Sequence, residues 1–459
     1  MQETENINAP TFYLQAFGCP SSQYEGEAVR SLLLKEGFSE ATRTPAQVYV
    51  INTCVVTESA VRKARKAVRK AKKNNPRSLV VLMGCYPQVY EEQACKDLPE
   101  VDIFLGNEGR GRLPSILQQR LKGGEDTFPW SLVSSTVPQE PLEELATDIE
   151  CRRARPVLKV QEGCNRRCSY CIVTSARGAP RSLSPATALK QVENFLQKGH
   201  REIIIAGTNL GLYGKDLKNW NLIKLLRCLD ELPYDFRLRL SYLEPNSVTE
   251  EFLKAVYSSS KICPYLYLPL QSGSDYVLRK MGRSYSVKDL EKIISRTREL
   301  LPQTSIYSDI IVGFPGEREE DYRLTMDRVR RWKLSGLHIF SYSPRPLTPA
   351  YSLQDKVRPD IIKRRYQEMK TVHQDLALNF HREMSAQTLR VLVERIREGW
   401  GEGFSDNYIW VKFPLGKNSQ GPSAGPGSGE NQAEELTGSF VLIRPLYAYT
   451  WGIEGEIPD

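Results

Sequence analysis

The stretch GCNRRCSYC sets Cys164, Cys168 and Cys171 in the pattern Cys-x3-Cys-x2-Cys. In a chain with ten cysteines among 459 residues, three thiols at such short offsets are a poor chance outcome. They suit a metal. Zinc is one claimant, although structural zinc sites favour paired CxxC elements or added histidine, and no His lies near these cysteines. A zinc site or a purely structural thiol cluster stays the rival reading. An iron–sulfur cube is the other: three thiolates on a [4Fe–4S] cluster leave one iron without a protein ligand. Such an iron can chelate an amino group and a carboxylate, as S-adenosylmethionine (SAM) presents them. An electron from the cluster can then cleave the sulfonium and make a 5′-deoxyadenosyl radical.

A second set of thiols is spread out. Cys19 follows TFYLQAF, Cys54 follows VYVIN and Cys85 follows SLVVLMG, so each stands at the carboxyl end of an apolar, β-rich run. In an open parallel α/β sheet those ends share one rim, where ligands collect. Each separation accommodates one strand–helix–strand step. The three would then converge on a second cluster. Three unrelated core cysteines are the competing account. Cys95, Cys151, Cys228 and Cys263 match no ligand position and read as packing or surface thiols.

The elements that must position these groups are α/β in class. Strands at 11–17, 48–52, 78–84 and 101–106 alternate with helices, including a basic one from about 59 to 73. This gives a Rossmann-like first domain, 1–150, closed by a turn-rich segment over 107–153. A second alternation fills 151–383, with strands at 157–163, 202–207, 236–241, 265–270, 304–313 and 336–343. Helical patterns at 185–199, 218–232, 247–258, 287–300 and 318–333 lie between them, and a charged helix follows at 355–383. Six strands with five crossovers predict a partial (βα)6 barrel, whose active loops lie at the carboxyl ends of the strands. From 384 to 459 the strands LRVLVERI, NYIWVKF, GSFVLIRPLYAY and WGIEGEI predict a small all-β barrel. The Gly/Ser/Pro-rich stretch 416–432 reads as a flexible loop inside it.

The pattern CxxxCxxC after a first barrel strand resembles the signature of radical SAM enzymes. GCPSSQYEGEAV, INTCVVTESA and MGCYPQ resemble the amino-terminal domain of methylthiotransferases within that superfamily. The resemblance covers nearly the whole chain and implies three domains, the last an RNA-binding barrel called TRAM. It implies that Cys164, Cys168 and Cys171 hold the [4Fe–4S] cluster that works on SAM. It implies a second [4Fe–4S] cluster on Cys19, Cys54 and Cys85 that carries or delivers sulfur. Tyr170 would lie near the SAM adenine, and Arg177 in ARGAPRS would hold SAM or substrate. Gln271 and Ser272 in LPLQSGSD match a stretch that contacts SAM or substrate. Strand-end position adds three candidates: Glu244 in SYLEP as a polar SAM contact, Asp309 facing the barrel interior, and Gly313 allowing backbone approach to an adenine. Loop caps, packing aromatics and surface salt bridges are the plainer readings of all these.

With the closing YSPRPLTPAY, the motifs look most like the branch acting on N6-threonylcarbamoyladenosine in tRNA, at position 37 beside the anticodon. Other branches act on isopentenyladenosine in tRNA or on an aspartate of a ribosomal protein. A non-catalytic iron–sulfur RNA-binding protein is the alternative of another class. The implied reaction adds a methylthio group to C2 of the adenosine, with flavodoxin or ferredoxin as electron donor. Pro20-Ser21-Ser22 and Val173-Thr174-Ser175 replace the family's usual Lys-Val-Asn and Ile-Pro-Tyr.

The net charge of +8 leans mildly toward a polyanion. In VRKARKAVRKAKKNNPR, residues Arg62, Arg65, Arg69 and Lys73 fall near one helix face, which can track phosphates or merely be solvated. Tyr408, Trp410 and Arg444, with Tyr447, Tyr449 and Trp451, can stack on unpaired bases, or else form the terminal barrel's own core. The start MQETENINAP has no signal-peptide character, and no apolar run is long enough to span a membrane. A cytoplasmic protein with reduced thiols is expected.

Overall fold

The computed structural model describes residues 9–42, 45–123, 130–134, 142–145, 149, 151–415 and 436–458. The first unit is a six-stranded, wholly parallel sheet: β1 (Thr11–Ala16), β2 (Ser39–Glu40), β3 (Val48–Thr53), β4 (Leu79–Gly84), β5 (Ile103–Leu105) and β6 (Trp130–Leu132), in the order β2-β1-β3-β4-β5-β6. VYVINT of β3 is buried along its whole length, as expected of a central parallel strand covered on both faces. Helix Glu58–Asn74 starts where the Thr57 hydroxyl accepts the Ala60 N–H, and it buries Ala60, Val61, Ala64, Val68 and Ala71. That spacing leaves its Lys/Arg residues on the outer side.

The second unit holds β7 (Val157–Glu162), β8 (Arg181–Ser182), β9 (Glu202–Gly207), β10 (Arg237–Leu240), β11 (Tyr265–Tyr267), β12 (Ser305–Val312) and β13 (Gly336–Ser341). Two ladders, β10-β9-β7-β8 and β11-β12-β13, are joined by the bridges Leu238↔Ile262 and Tyr242↔Tyr267. The six expected strands therefore form one parallel wall, β7-β9-β10-β11-β12-β13, the partial barrel read from the sequence. The short β8 pairs antiparallel with β7.

The last unit is a closed barrel of β14 (Leu389–Arg397), β15 (Trp400–Ser405), β16 (Trp410–Pro414), β17 (Phe440–Tyr449) and β18 (Gly452–Glu456). Closure removes the exposed edges that a small sheet would otherwise present. The core, including Val391, Val411, Phe413, Ile443 and Ile453, is completed by Phe380 and Met384 from helix Pro359–Met384. The stretch expected as a flexible loop, 416–432, lies outside the described residues.

Strands β2, β6, β8 and β15 were not expected. Three of them are two or three residues long, too short to show a period, and WGEGFS of β15 carries two glycines that mask alternation. Among the described residues no helix is long and apolar enough to cross a membrane.

The three units share buried surfaces. Helix Pro20–Lys35 of the first unit puts Tyr24 and Ala28 into the barrel's main core, and the Tyr24 hydroxyl donates to Gln191 Oε1 at 3.2 Å. At the other joint, Arg237 donates to Asp406 Oδ1 at 2.7 Å and to Phe404 O at 2.8 Å.

Candidate active site with two cysteine triads

The contiguous triad lies on the loop between β7 and helix Val173–Arg177. Gly163 opens the loop with φ +78°, where an added Cβ would stand 2.0 Å from Ala179 O. The Cys164 N–H donates to Gly178 O at 2.9 Å, and the Cys171 N–H to Cys168 O at 3.1 Å, which folds the loop back on itself. Each sulfur meets a donor. Arg166 N–H points at Cys164 Sγ at 3.4 Å, and Arg283 Nη1 donates to Cys168 Sγ at 3.2 Å. A Val173 N–H serves Cys171. Burial pushes the Cys171 thiol up to about 12 and raises Cys164. A metal bound here would have to displace those protons.

The dispersed triad sits on the rim of the first sheet. Cys19 occupies the N-cap of helix Pro20–Lys35, Cys54 follows β3, and Cys85 directly follows β4. The Cys54 thiol donates to Cys19, and Cys85 interacts electrostatically with both. That hydrogen bond, aided by Arg177, holds the Cys19 thiol down at about 5. The helix N-terminus favours the thiolate in the same sense. Cys54 is pushed up, first by donating that bond, and burial raises Cys85. Asn107 Nδ2 donates to Cys85 Sγ at 3.7 Å and to Ala176 O at 2.6 Å, so it ties this triad to the loop of the other. The atypical Ser22 places its hydroxyl 3.6 Å from Cys19 Sγ, and the atypical Pro20 fills the first helical turn.

All six cysteines are free, and each sulfur has a hydrogen-bond donor beside it, although the surroundings on balance favour the neutral thiol at Cys54, Cys85, Cys164 and Cys171. Among the described residues no three His, Cys, Asp or Glu side chains close on a single ion. A cube offers each thiolate its own iron, so its ligands stand wider than those of a zinc tetrahedron. Two groups of three free thiols suit two [4Fe–4S] clusters, each of which would leave one iron without a protein ligand. The four other cysteines join neither group; Cys95 and Cys151 pack against cores and Cys263 is buried.

Between the triads lies a buried ion cluster, and here one expectation is corrected. Arg177 does not open toward a ligand. Its Nη1 donates to Glu25 Oε1 at 2.7 Å and also to Glu162, and its Nη2 donates to Glu25 Oε2 at 3.3 Å. Lys159 Nζ joins Glu25 at 2.9 Å and Glu162 at 3.2 Å, and Arg110 joins Glu25 at 3.2 Å. Three cations hold the Glu25 carboxyl well below the usual range against the cost of its burial. Arg177 is a positioning residue for two domains.

The other candidates divide in the same way. Tyr170 is half-buried beside the contiguous triad, edge-on to Phe314, and its hydroxyl accepts from Arg283. Glu244 is 1% exposed and paired with Arg283 at 2.6 Å, with the Tyr242 hydroxyl donating to it at 2.6 Å. It therefore holds the arginine that holds Cys168. Gln271 is buried with φ +69°, a conformation costly for a side chain with a Cβ and typical of functional loops. Ser272 is corrected: it is fully buried against Thr325 and accepts the Ser274 N–H, a loop-bracing role. At Gly313, with φ +78°, an added Cβ would meet Ile362 at 2.4 Å, so the missing side chain makes room for that neighbour. Asp309 accepts from the Tyr267 hydroxyl, and burial pushes its carboxyl up to about 7. Arg283 was missed. MGRSY carries no motif, and only the folded chain brings it to Cys168 and Glu244.

On the basic helix, Arg62, Arg69 and Lys73 are exposed. Arg65 is corrected, since it bonds Asp97 at 2.7 Å and the Tyr86 hydroxyl at 2.8 Å. In the terminal barrel Tyr408 is corrected: it stacks on Phe404 at 4.3 Å, lies under Arg239 and packs on Tyr265, inside the joint with the second unit. Trp410 is half-buried edge-on to Phe404, and Arg444 pairs with Glu456. The exposed aromatics of this barrel are Trp400, Tyr447, Tyr449 and Trp451, the last two stacked at 5.3 Å.

Residues 158–329 match the family described as the Radical SAM superfamily, and residues 11–106 match a family described as uncharacterized protein family UPF0004. The chain is 33% identical to threonylcarbamoyladenosine tRNA methylthiotransferase MtaB of Bacillus subtilis, over 98% of both chains. It is 30% identical to tRNA-2-methylthio-N(6)-dimethylallyladenosine synthase of Dictyoglomus thermophilum, again over 98% of each. Among solved structures, the radical SAM methyltransferase TsrM of Kitasatospora setae, with cobalamin and a [4Fe-4S] cluster bound, superposes with a TM-score of 0.56 at 13% identity, over 86% of this chain and 77% of that one. That likeness concerns fold alone. At 32–36% identity to three such methylthiotransferases over 87–98% of its length, and with the radical SAM match over residues 158–329, the chain belongs to the methylthiotransferase family of radical SAM enzymes.

Proposed function

We propose that this protein adds a methylthio group to C2 of N6-threonylcarbamoyladenosine at position 37 of tRNA. The observation that carries the reading is the pair of cysteine triads, joined by Asn107 and Arg177, in a chain that matches the Bacillus subtilis enzyme end to end. C2 of the adenine is unactivated, so acid–base chemistry alone does not replace its hydrogen with sulfur. When bound, one [4Fe–4S] cluster supplies reductive cleavage of SAM to a 5′-deoxyadenosyl radical, the other supplies sulfur, and a second SAM supplies the methyl group.

The residues then have distinct tasks. Cys164, Cys168 and Cys171 hold the first cluster; Cys19, Cys54 and Cys85 hold the second. Arg283 donates to Cys168 and Tyr170, and is itself fixed by Glu244, so the loop presents its sulfurs in one arrangement. Tyr170 lines the SAM side of the loop. Arg177 fixes the first domain against the barrel. The division 1–150, 151–383 and 384–459 follows these roles. Arg62, Arg69 and Lys73 meet RNA phosphates, and Tyr447, Tyr449 and Trp451 stack on unpaired bases. A flavodoxin- or ferredoxin-like protein delivers the electron, and the enzyme works in the cytoplasm.

Mass spectrometry of tRNA nucleosides from cells with and without the gene tests this. Loss of 2-methylthio-N6-threonylcarbamoyladenosine is expected. An unchanged level of it would overturn the reading. The 30% identity to the Dictyoglomus thermophilum synthase keeps isopentenyladenosine as the second reading; selective loss of its 2-methylthio derivative in the same experiment would favour it.

A further inference from the structure

The segment SPRPLTPAY, 343–351, follows β13 and runs from the barrel toward the first unit. The Ala350 N–H donates to Ser169 O at 2.7 Å, so the segment rests on the contiguous cysteine loop. The Tyr90 hydroxyl of the first unit donates to Pro346 O at 3.1 Å. Arg345 sits at this seam, with a side chain only 5% exposed. Its Nη1 meets Glu58 Oε2 at 3.1 Å, at the start of the basic helix that follows Cys54. Glu58 is 59% exposed, so water weakens that pair.

The remaining edge of the guanidinium is unusual. Nε and Nη2 of Arg345 are both buried and neither has a hydrogen-bond partner. Among the described residues no other side chain has two such atoms. Nε–H and Nη2–H point the same way, as a fork that matches the two oxygens of a carboxylate or phosphate. The other buried arginines near the triads differ: Arg177 has both terminal nitrogens on Glu25 and Glu162, and Arg283 is held by Glu244. Leu347, two residues on, is 70% exposed, so the segment's tip faces solvent.

We propose that the free edge of Arg345 binds a two-oxygen anion of the tRNA substrate next to the target adenine. This is either the carboxylate of the threonylcarbamoyl group or a neighbouring backbone phosphate. The inference rests on the tRNA methylthiotransferase reading. Arg345 is a recognition residue that seats the modified base between the two triads.

The test uses the anaerobically reconstituted full chain and three anticodon stem-loops that differ only at position 37: threonylcarbamoyladenosine, its methyl ester, or unmodified adenosine. Fluorescence anisotropy compares the wild type with Arg345→Lys and Arg345→Gln, and iron content per chain checks that both variants fold and load. Arg345→Lys keeps the charge and the Glu58 pair but loses the fork. If the carboxylate is the ligand, binding of the free-acid stem-loop weakens on the order of 10- to 100-fold, as for a lost bidentate pair, while the other two are unaffected. If a phosphate is the ligand, all three weaken together and the salt slope falls by about 1. Either pattern supports the site. Fully loaded variants that bind all three stem-loops as the wild type does would overturn it. A wild-type protein that binds none of them would overturn the tRNA reading itself, and this site with it.

Discussion

Cys164, Cys168 and Cys171 sit on one short loop, braced by backbone hydrogen bonds within that loop and by Arg283. Cys19, Cys54 and Cys85 come from three loops that only the parallel sheet gathers. The first triad needs one turn of chain to exist; the second needs β1, β3 and β4 in register. The surroundings differ as well. The contiguous triad is backed by Glu244 and two arginines that pair with it, Arg283 and Arg166. The dispersed triad is backed by an ion cluster that spans two units. A local motif tolerates damage elsewhere, whereas a dispersed one reports on the whole fold.

The largest effects separate the triads by chemistry. Cys164→Ala should abolish 5′-deoxyadenosine formation in an anaerobic assay with SAM and reductant. Cys54→Ala should spare that cleavage and stop methylthio product, with iron falling from about eight to about four per chain. Normal product from the Cys54 variant would collapse the distinction. Next come the glycines beside each triad. At Gly18, with φ +121°, an added Cβ would lie 2.3 Å from Cys54 Cβ. Gly18→Ala should therefore lose the dispersed cluster selectively, again leaving about four iron per chain. Gly163→Ala should do the reverse, because its added Cβ strikes backbone at Ala179. Equal loss of both clusters in either variant would show that the triads are not independent.

Smaller again is Arg177→Met, which leaves Glu25 and Glu162 short of a buried partner. Removing one member of such a group costs about 3–5 kcal/mol, read as a lowered denaturation midpoint. Arg283→Met leaves Glu244 with Arg166 and the Tyr242 hydroxyl still beside it, so the smaller drop is expected there. The smallest effect concerns pH. Asp309 is raised to about 7 by burial, so folding is favoured while it stays protonated, and that advantage fades as pH rises from its unfolded value near 4 through 7. Asp309→Asn should match the wild type in stability at pH 5 and exceed it by about 1–3 kcal/mol at pH 8. A stability gap that does not change with pH would contradict the shift.

Much of this was readable in the sequence because the signals are periodic or local. The six barrel strands, the basic helix and the six cysteines all announce themselves through alternation, helical spacing or strand-end position. What escaped depends on direction and distance. Ser272 and Tyr408 lie where strand ends and aromatics place them, but their side chains turn into the protein, and the space beside Gly313 is filled by Ile362. Arg283 has no motif because its partners, Cys168 and Glu244, are 115 and 39 residues away. WGEGFS hides a barrel strand because glycine contributes nothing to alternation.

The ion cluster around Glu25 has one more consequence, for motion. Swinging the first unit away from the barrel would separate Glu25 from Arg177 and Lys159. Buried charges pulled from their partners cost several kcal/mol each unless water floods in. The cluster thus resists a hinge opening between the first unit and the barrel. The distance between the two sulfur-bearing rims is thereby tied to the packing of the two units on each other.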